Sequence, residues 1–248
     1  MHQITSLRRS RGRLLALGVL TAAFVFSLTV GCSCSIGTQK VTVGAKDEVR
    51  YSGTATAEEA KALGESLKAQ LYLQDQGVTV VLAKGSDGAS IGYVVQEGAW
   101  DNDDNVVLFE QMTRVAGPKV GGLPVKLQLM NTKLEVKKES LVHANLKAGA
   151  NDEISYSGTS TEQDAKALAE QLKSIGYLQD RGTSVLLSKG PGGTVVSFVV
   201  RDGAWSNDDT VANFEQIGHS IAASVGGAPI KVRMLNTQLK KQKEIPIS

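Results

Sequence analysis

The sequence predicts an α+β fold written twice. The first observation is internal repetition: Tyr51-Ser52-Gly53-Thr54 returns as Tyr156-Ser157-Gly158-Thr159, 105 residues later. The same offset relates Tyr72-Leu73-Gln74-Asp75 to Tyr177-Leu178-Gln179-Asp180, and Gly98-Ala99-Trp100 to Gly203-Ala204-Trp205. No gap is needed, and nearly half the positions match. A period this long means duplication of a whole domain, since solenoid units are shorter. The second observation is patterning. Within each copy, apolar residues recur with the period of a strand, then of a helix, in the order βαββαβ. The third is turn chemistry, with glycines and cap residues placed between these runs.

The elements of the first copy follow in order. An additional strand is predicted over Lys40 to Val43. Glu48 to Ser52 form the first main strand, with Val49 and Tyr51 on one face. Thr56 with Glu59 three places on is a capping box, repeated by Thr161 and Asp164, and it opens a helix. Ala60, Leu63, Leu67 and Leu71 then fall at helical spacing. Val78 to Ala83 and Ala89 to Gln96 flank Lys84-Gly85-Ser86-Asp87-Gly88, a hairpin signal. In the second of these runs Ile91, Tyr93 and Val95 form the bulky face. Asn102 is placed to cap a second helix, with Asp103 and Asp104 at its positive end and Val106, Phe109, Met112 and Ala116 on its core side. Pro124 to Met130 form the last strand. Asn131-Thr132 then turn the chain into a charged extension, Leu134 to Glu139.

With right-handed crossovers, the order βαββαβ predicts two ferredoxin-like sandwiches in tandem, helices on one face of an antiparallel sheet. The predicted boundaries are a leader over 1–31, a linker over 32–39, repeat 1 over 40–139, a linker over 140–150 and repeat 2 over 151–244.

Arg8, Arg9, Arg11 and Arg13 precede an uncharged run from Leu14 to Val30 and then Gly31-Cys32. A basic segment, an apolar segment and small residues form a signal sequence. Gly31-Cys32 resembles the lipobox of bacterial lipoproteins, with Thr29 standing where an aliphatic residue is usual. The resemblance implies that Cys32 is lipidated and becomes the N-terminus, so that the chain is held at the extracytoplasmic face of a bacterial cell membrane or outer membrane. A plain secretory leader and an uncleaved anchor are the alternatives. The duplicated domain also resembles uncharacterised domains of bacterial envelope proteins, of no named family, and it is similar in element order alone to the cell-wall-binding SPOR domain.

Four of the 27 Lys and Arg lie in the leader, so the remainder is slightly acidic against 25 Asp and Glu. That argues against a nucleic-acid partner, which requires clustered cations. Cys32 and Cys34 are the only cysteines, and His2, His143 and His219 are far apart, so no zinc ligand set is predicted. The glycine-rich pieces match neither a P-loop nor a dinucleotide fingerprint. Asp101-Asn102-Asp103-Asp104-Asn105 has Val106 and Met112 where an EF-hand needs Gly and Glu. No cofactor and no metal are expected.

The function expected is a non-catalytic binding or scaffolding lipoprotein of the envelope. A cell-wall glycan-binding module and a hydrolase with a carboxylate site are the alternatives. The candidate ligand-binding residues are Trp100, Trp205, Tyr72, Tyr177, Glu110 and Glu215. The tryptophans serve either as core plugs or as platforms for a sugar, and the glutamates as solvated positions or a paired polar patch. The expected partners are the membrane, an envelope protein or a cell-wall polymer. The polar face of each sheet, with Ser90, Gly92, Lys126 and Gln128, is either solvated or used to pack the copies together.

Overall fold

The computed structural model describes residues 39–248. The leader, Cys32 and the linker up to residue 38 lie outside the described residues.

The first copy comprises β1 (Gln39–Val43), β2 (Asp47–Gly53), α1 (Ala57–Ala69), β3 (Thr79–Gly85), β4 (Gly88–Val94), α2 (Asp103–Ala116), β5 (Val125–Met130) and β6 (Val136–Val142). The second comprises β7 (Leu146–Lys147), β8 (Glu153–Gly158), α3 (Glu162–Ser174), β9 (Ser184–Gly190), β10 (Gly193–Val199), α4 (Asp208–Ala222), β11 (Ile230–Leu235) and β12 (Lys241–Ile247). The fold is α+β, with one mixed sheet of 12 strands.

The helices start where the caps require. Thr56 and Glu59 exchange both hydrogen bonds of the capping box, as do Thr161 and Asp164. The Asn102 side chain accepts from the Asp104 and Asn105 N–H groups, and Asn207 accepts from Thr210. Gly53 and Gly158 end their strands with φ of 69° and 70°. A Cβ at either would collide with the carbonyl oxygen of Lys84 or Lys189 on the parallel neighbour.

The sheet differs from the expected one in two ways. A ferredoxin-like sheet interleaves its strands, setting the fourth beside the first. Here the strands run in chain order, β1-β2-β3-β4-β5-β6-β8-β9-β10-β11-β12, with β7 also on β8. Nor is the sheet antiparallel throughout: β2 runs parallel to β3, and β4 parallel to β5. The reason lies in the edge strands. A tight turn at Gly44–Lys46 folds β1 back onto β2, in register from Gln39 opposite Tyr51 to Val43 opposite Asp47. That occupies the edge at which β5 would have to pair. β6 likewise folds back on β5. The charged extension is therefore a strand.

The expected linker over 140–150 is also structured. It holds the end of β6 and all of β7, and it carries the chain from one copy to the next. Val142 pairs with Ser157, and the His143 N–H donates to the Tyr156 carbonyl at 3.3 Å. Two apolar clusters pack against opposite faces of the sheet: Val142 belongs to the first, and its register partner Ser157 shares that face, while Tyr156 of the second points the other way. One gathers Val49, Tyr51, Leu82, Ile91, Tyr93, Leu127 and Leu129 with Leu63 and Leu67 of α1 and Phe109 and Met112 of α2. The other gathers the equivalent positions of the second copy.

Candidate functional site

Most polar side chains buried in the described residues fall into two settings. One recurs in each copy. Asp47, at the start of β2, is 1% exposed and accepts from the N–H groups of Asp75, Gly77 and Val78. Asp152 does the same for Asp180 and Thr183. Burial opposes ionisation of Asp152, but the N–H groups of the 180–183 loop outweigh it and hold its carboxyl below the usual range. These aspartates fold the loop after the first helix onto the sheet.

The other setting occurs once, where the copies meet, and is built on α2. Asp103, Val107, Glu110 and Arg114 lie along one stripe of this helix. Phe109, Met112 and Ala116 face its own core. Glu110 accepts from Ser140 Oγ of β6 at 2.6 Å and from Ser157 Oγ of β8 at 2.9 Å. Arg114 donates through Nε to the His143 carbonyl at 2.9 Å and through Nη2 to the Tyr156 carbonyl at 3.1 Å. Its Nη1 is buried without a hydrogen-bond partner. At the other end of α2, Asp103 pairs with Arg233 of β11 at 2.6 Å, and Asp104 accepts from the Lys241 N–H of β12 at 2.8 Å. Helix α2 therefore reaches across the second copy's sheet from β11 to β8, on the face carrying Ser157 and Arg233.

The electrostatics of this junction follow from dehydration. Burial pushes the Glu110 carboxyl up, against the two serine hydroxyls and the Arg114 charge that favour its ionised form. Burial lowers Arg114, partly offset by Glu110. His143 stacks on Tyr156 with ring centres 4.7 Å apart, and burial followed by the Arg114 charge pulls its imidazole down.

No family model, no curated protein and no solved structure matches this chain.

The six candidate ligand-binding residues do not converge on one site. Trp100 is 8% exposed within the first apolar cluster, and Trp205 is partly buried against the second. Tyr72 packs edge-on against Tyr93 and Phe109, and Tyr177 against Phe198 and Phe214. All four pack against an apolar cluster, Tyr72, Tyr177 and Trp205 from partly exposed positions. Glu110 is buried in the junction, while its repeat Glu215 is exposed on α4. Arg114, Ser140 and Arg233 were not singled out by the sequence, and Ser157 stood out only as part of the repeated Tyr-Ser-Gly-Thr run. The visible signal of the first three is asymmetry: Arg114 corresponds to His219, Ser140 to Ile245 and Arg233 to Gln128, whereas Ser157 repeats Ser52.

The surface also carries small cavities. One of ≈ 200 Å³ lies between Lys84, Gly121, Gly122 and Pro124. There Lys84 pairs with Glu59 at 2.5 Å and holds its carboxyl below the usual range. A groove of ≈ 390 Å³ runs between Tyr177 and Gln216. Among the described residues no cluster of three metal-ligating side chains occurs, and no helix is long and apolar enough to cross a membrane.

Proposed function

We propose that this chain is a non-catalytic, membrane-anchored binding or scaffolding lipoprotein of the bacterial envelope. Its working part is a pair of tandem α+β units, each with two helices over one face of its sheet. The packing of α1 and α2 residues into a single cluster with β2 to β5 supports that layering. The observation that carries the scaffolding role is the polar seam along α2. Glu110 and Arg114 tie the helix of one unit to strand β8 of the next, so the two units move as one platform. Held by an acyl group on Cys32, such a platform presents a fixed surface to an envelope protein or cell-wall polymer. Anchoring of this kind needs more than one chain or a second membrane signal.

The test begins with the anchor. The full chain, expressed in a bacterium with labelled palmitate, is expected to carry the label and to sediment with membranes. Cys32→Ser is expected to lose the label and leave the membrane fraction. Unlabelled wild-type protein in the soluble fraction would refute the anchored reading. Cosedimentation with isolated peptidoglycan then separates a polymer ligand from a protein one.

A further inference from the structure

We propose that a second copy of this chain docks head to tail, with its α4 lying on the polar sheet face of the first unit. The template is the contact inside one molecule, where α2 lies on the polar face of the second unit. The repeat places the same parts 105 residues apart. On α4 the stripe corresponding to Asp103, Val107, Glu110 and Arg114 is Asp208, Ala212, Glu215 and His219. All four are exposed, whereas Glu110 and Arg114 are buried.

The receiving face shows the same contrast. In the second unit Ser157, Leu186, Ser197 and Arg233 are buried. In the first unit Ser52, Val81 and Gln128 stand at three of those places and are half-buried. Gly92, at the fourth, is covered by the unit's own Met130 side chain. Among the described residues, one unit thus offers a helix stripe with no sheet against it, and the other a sheet face with no helix against it. Each is the homologue of a half already engaged within the molecule.

Charge favours the match. The α4 stripe and its first turn carry Asp208, Asp209 and Glu215. The receiving face carries Lys40, Arg50 and Lys126 against Glu48 and Glu139, and Glu48 is engaged by Lys40 at 3.1 Å and by Arg50 at 2.7 Å. Ser52 stands where Ser157 donates to Glu110, so it can donate to Glu215. The Gln128 amide donates to Glu139 at 2.6 Å, as Arg233 does to Glu244, and it stands where Arg233 also meets Asp103, so its second N–H can donate to Asp208. Because the two surfaces differ, the contact is heterologous and extends into rows rather than closing as a symmetric dimer.

Sedimentation velocity on the full chain in detergent tests this with two variants. One, Asp208→Lys with Glu215→Lys, blocks the helix stripe. The other, Lys126→Glu with Gln128→Glu, blocks the sheet face. Wild-type protein is expected to gain mass with concentration, at least roughly twofold, as heterologous association requires. Each variant alone is expected to stay monomeric and to keep a cooperative melting transition, unchanged in the first and lowered in the second, where Gln128 gives up its bond to Glu139. The two mixed are expected to form a 1:1 complex, because one good helix then meets one good face. A monomeric wild type, a variant that still self-associates, or a mixture that stays monomeric would each overturn the proposal.

Discussion

Glu110 and Asp152 are buried carboxylates whose surroundings act in opposite directions, and pH separates them. Burial raises the folded pKa of Glu110 above its ordinary 4.5, so the protonated form suits the fold. Its stabilising contribution is complete below that value and is lost as pH rises through the raised one. Glu110→Gln removes this dependence. Thermal melts from pH 4 to 7 are expected to show the variant gaining on the wild type as pH rises; parallel curves would contradict the assignment. Asp152 has a depressed pKa, so its contribution is present at neutral pH and is lost only as pH falls through the depressed value. Asp152→Ala leaves the Asp180 and Thr183 N–H groups without their acceptor. Denaturant unfolding at pH 7 is expected to show a loss of about 2 kcal/mol. Neither role could be read from one residue's identity. Glu110 follows an apolar core position on a helix, which on sequence grounds marks a solvated place. Burial there comes from a second unit more than 40 residues further along, which local spacing does not report.

Elements were legible where their signals are local. The capping boxes, the Asn102 cap, the Gly85 to Gly88 hairpin and the core stripes of α1 and α2 all form where period and cap chemistry place them. Thr56→Ala and Thr161→Ala each remove a cap bond, and each is expected to cost about 1 kcal/mol by denaturant unfolding. The helix-end residue Leu71 is less easily read. It stands at a helical apolar position, yet it lies beyond the end of α1 with φ of 61° and is 58% exposed. The second copy has Gly176 there, with φ of 74°. A left-handed backbone strains leucine and not glycine, so Leu71→Gly is expected to raise the unfolding free energy, by about 1 kcal/mol. No gain would show that Leu71 makes up the strain through packing. Strand order was not legible, because β1 and β6 determine it and neither alternates cleanly. Val136 to Glu139 are all exposed, and a strand solvated on both sides has no period-2 signature.

At the scale of the whole molecule the question is whether two copies with separate apolar clusters unfold separately. The clusters share no residue. Main-chain continuity between the units is thin, since β6 and β8 meet at a single register pair, Val142 with Ser157. What couples them is α2, whose side chains reach β8 at one end and β11 and β12 at the other. Two charged-group hydrogen bonds from Arg114 to main-chain carbonyls contribute about 1.5–3 kcal/mol each, and they hold the chain at the crossing from β6 to β8. The Asp103–Arg233 pair is half-exposed on the aspartate side and adds less. Wild-type protein is therefore expected to melt in one calorimetric transition. Arg114→Ala combined with Asp103→Ala removes the strongest of these contacts without touching either apolar cluster and, among the described residues, leaves only Glu110 on Ser157 and Asp104 on the Lys241 N–H as side-chain ties from α2, so its thermogram is expected to split into two transitions, one for each unit. His219→Ala with Asp208→Ala, the same pair one repeat later, is expected to leave the single transition intact, because that stripe of α4 is exposed among the described residues. A lowered but undivided transition in the first variant would mean that the sheet itself, and not the helix laid across it, holds the units together.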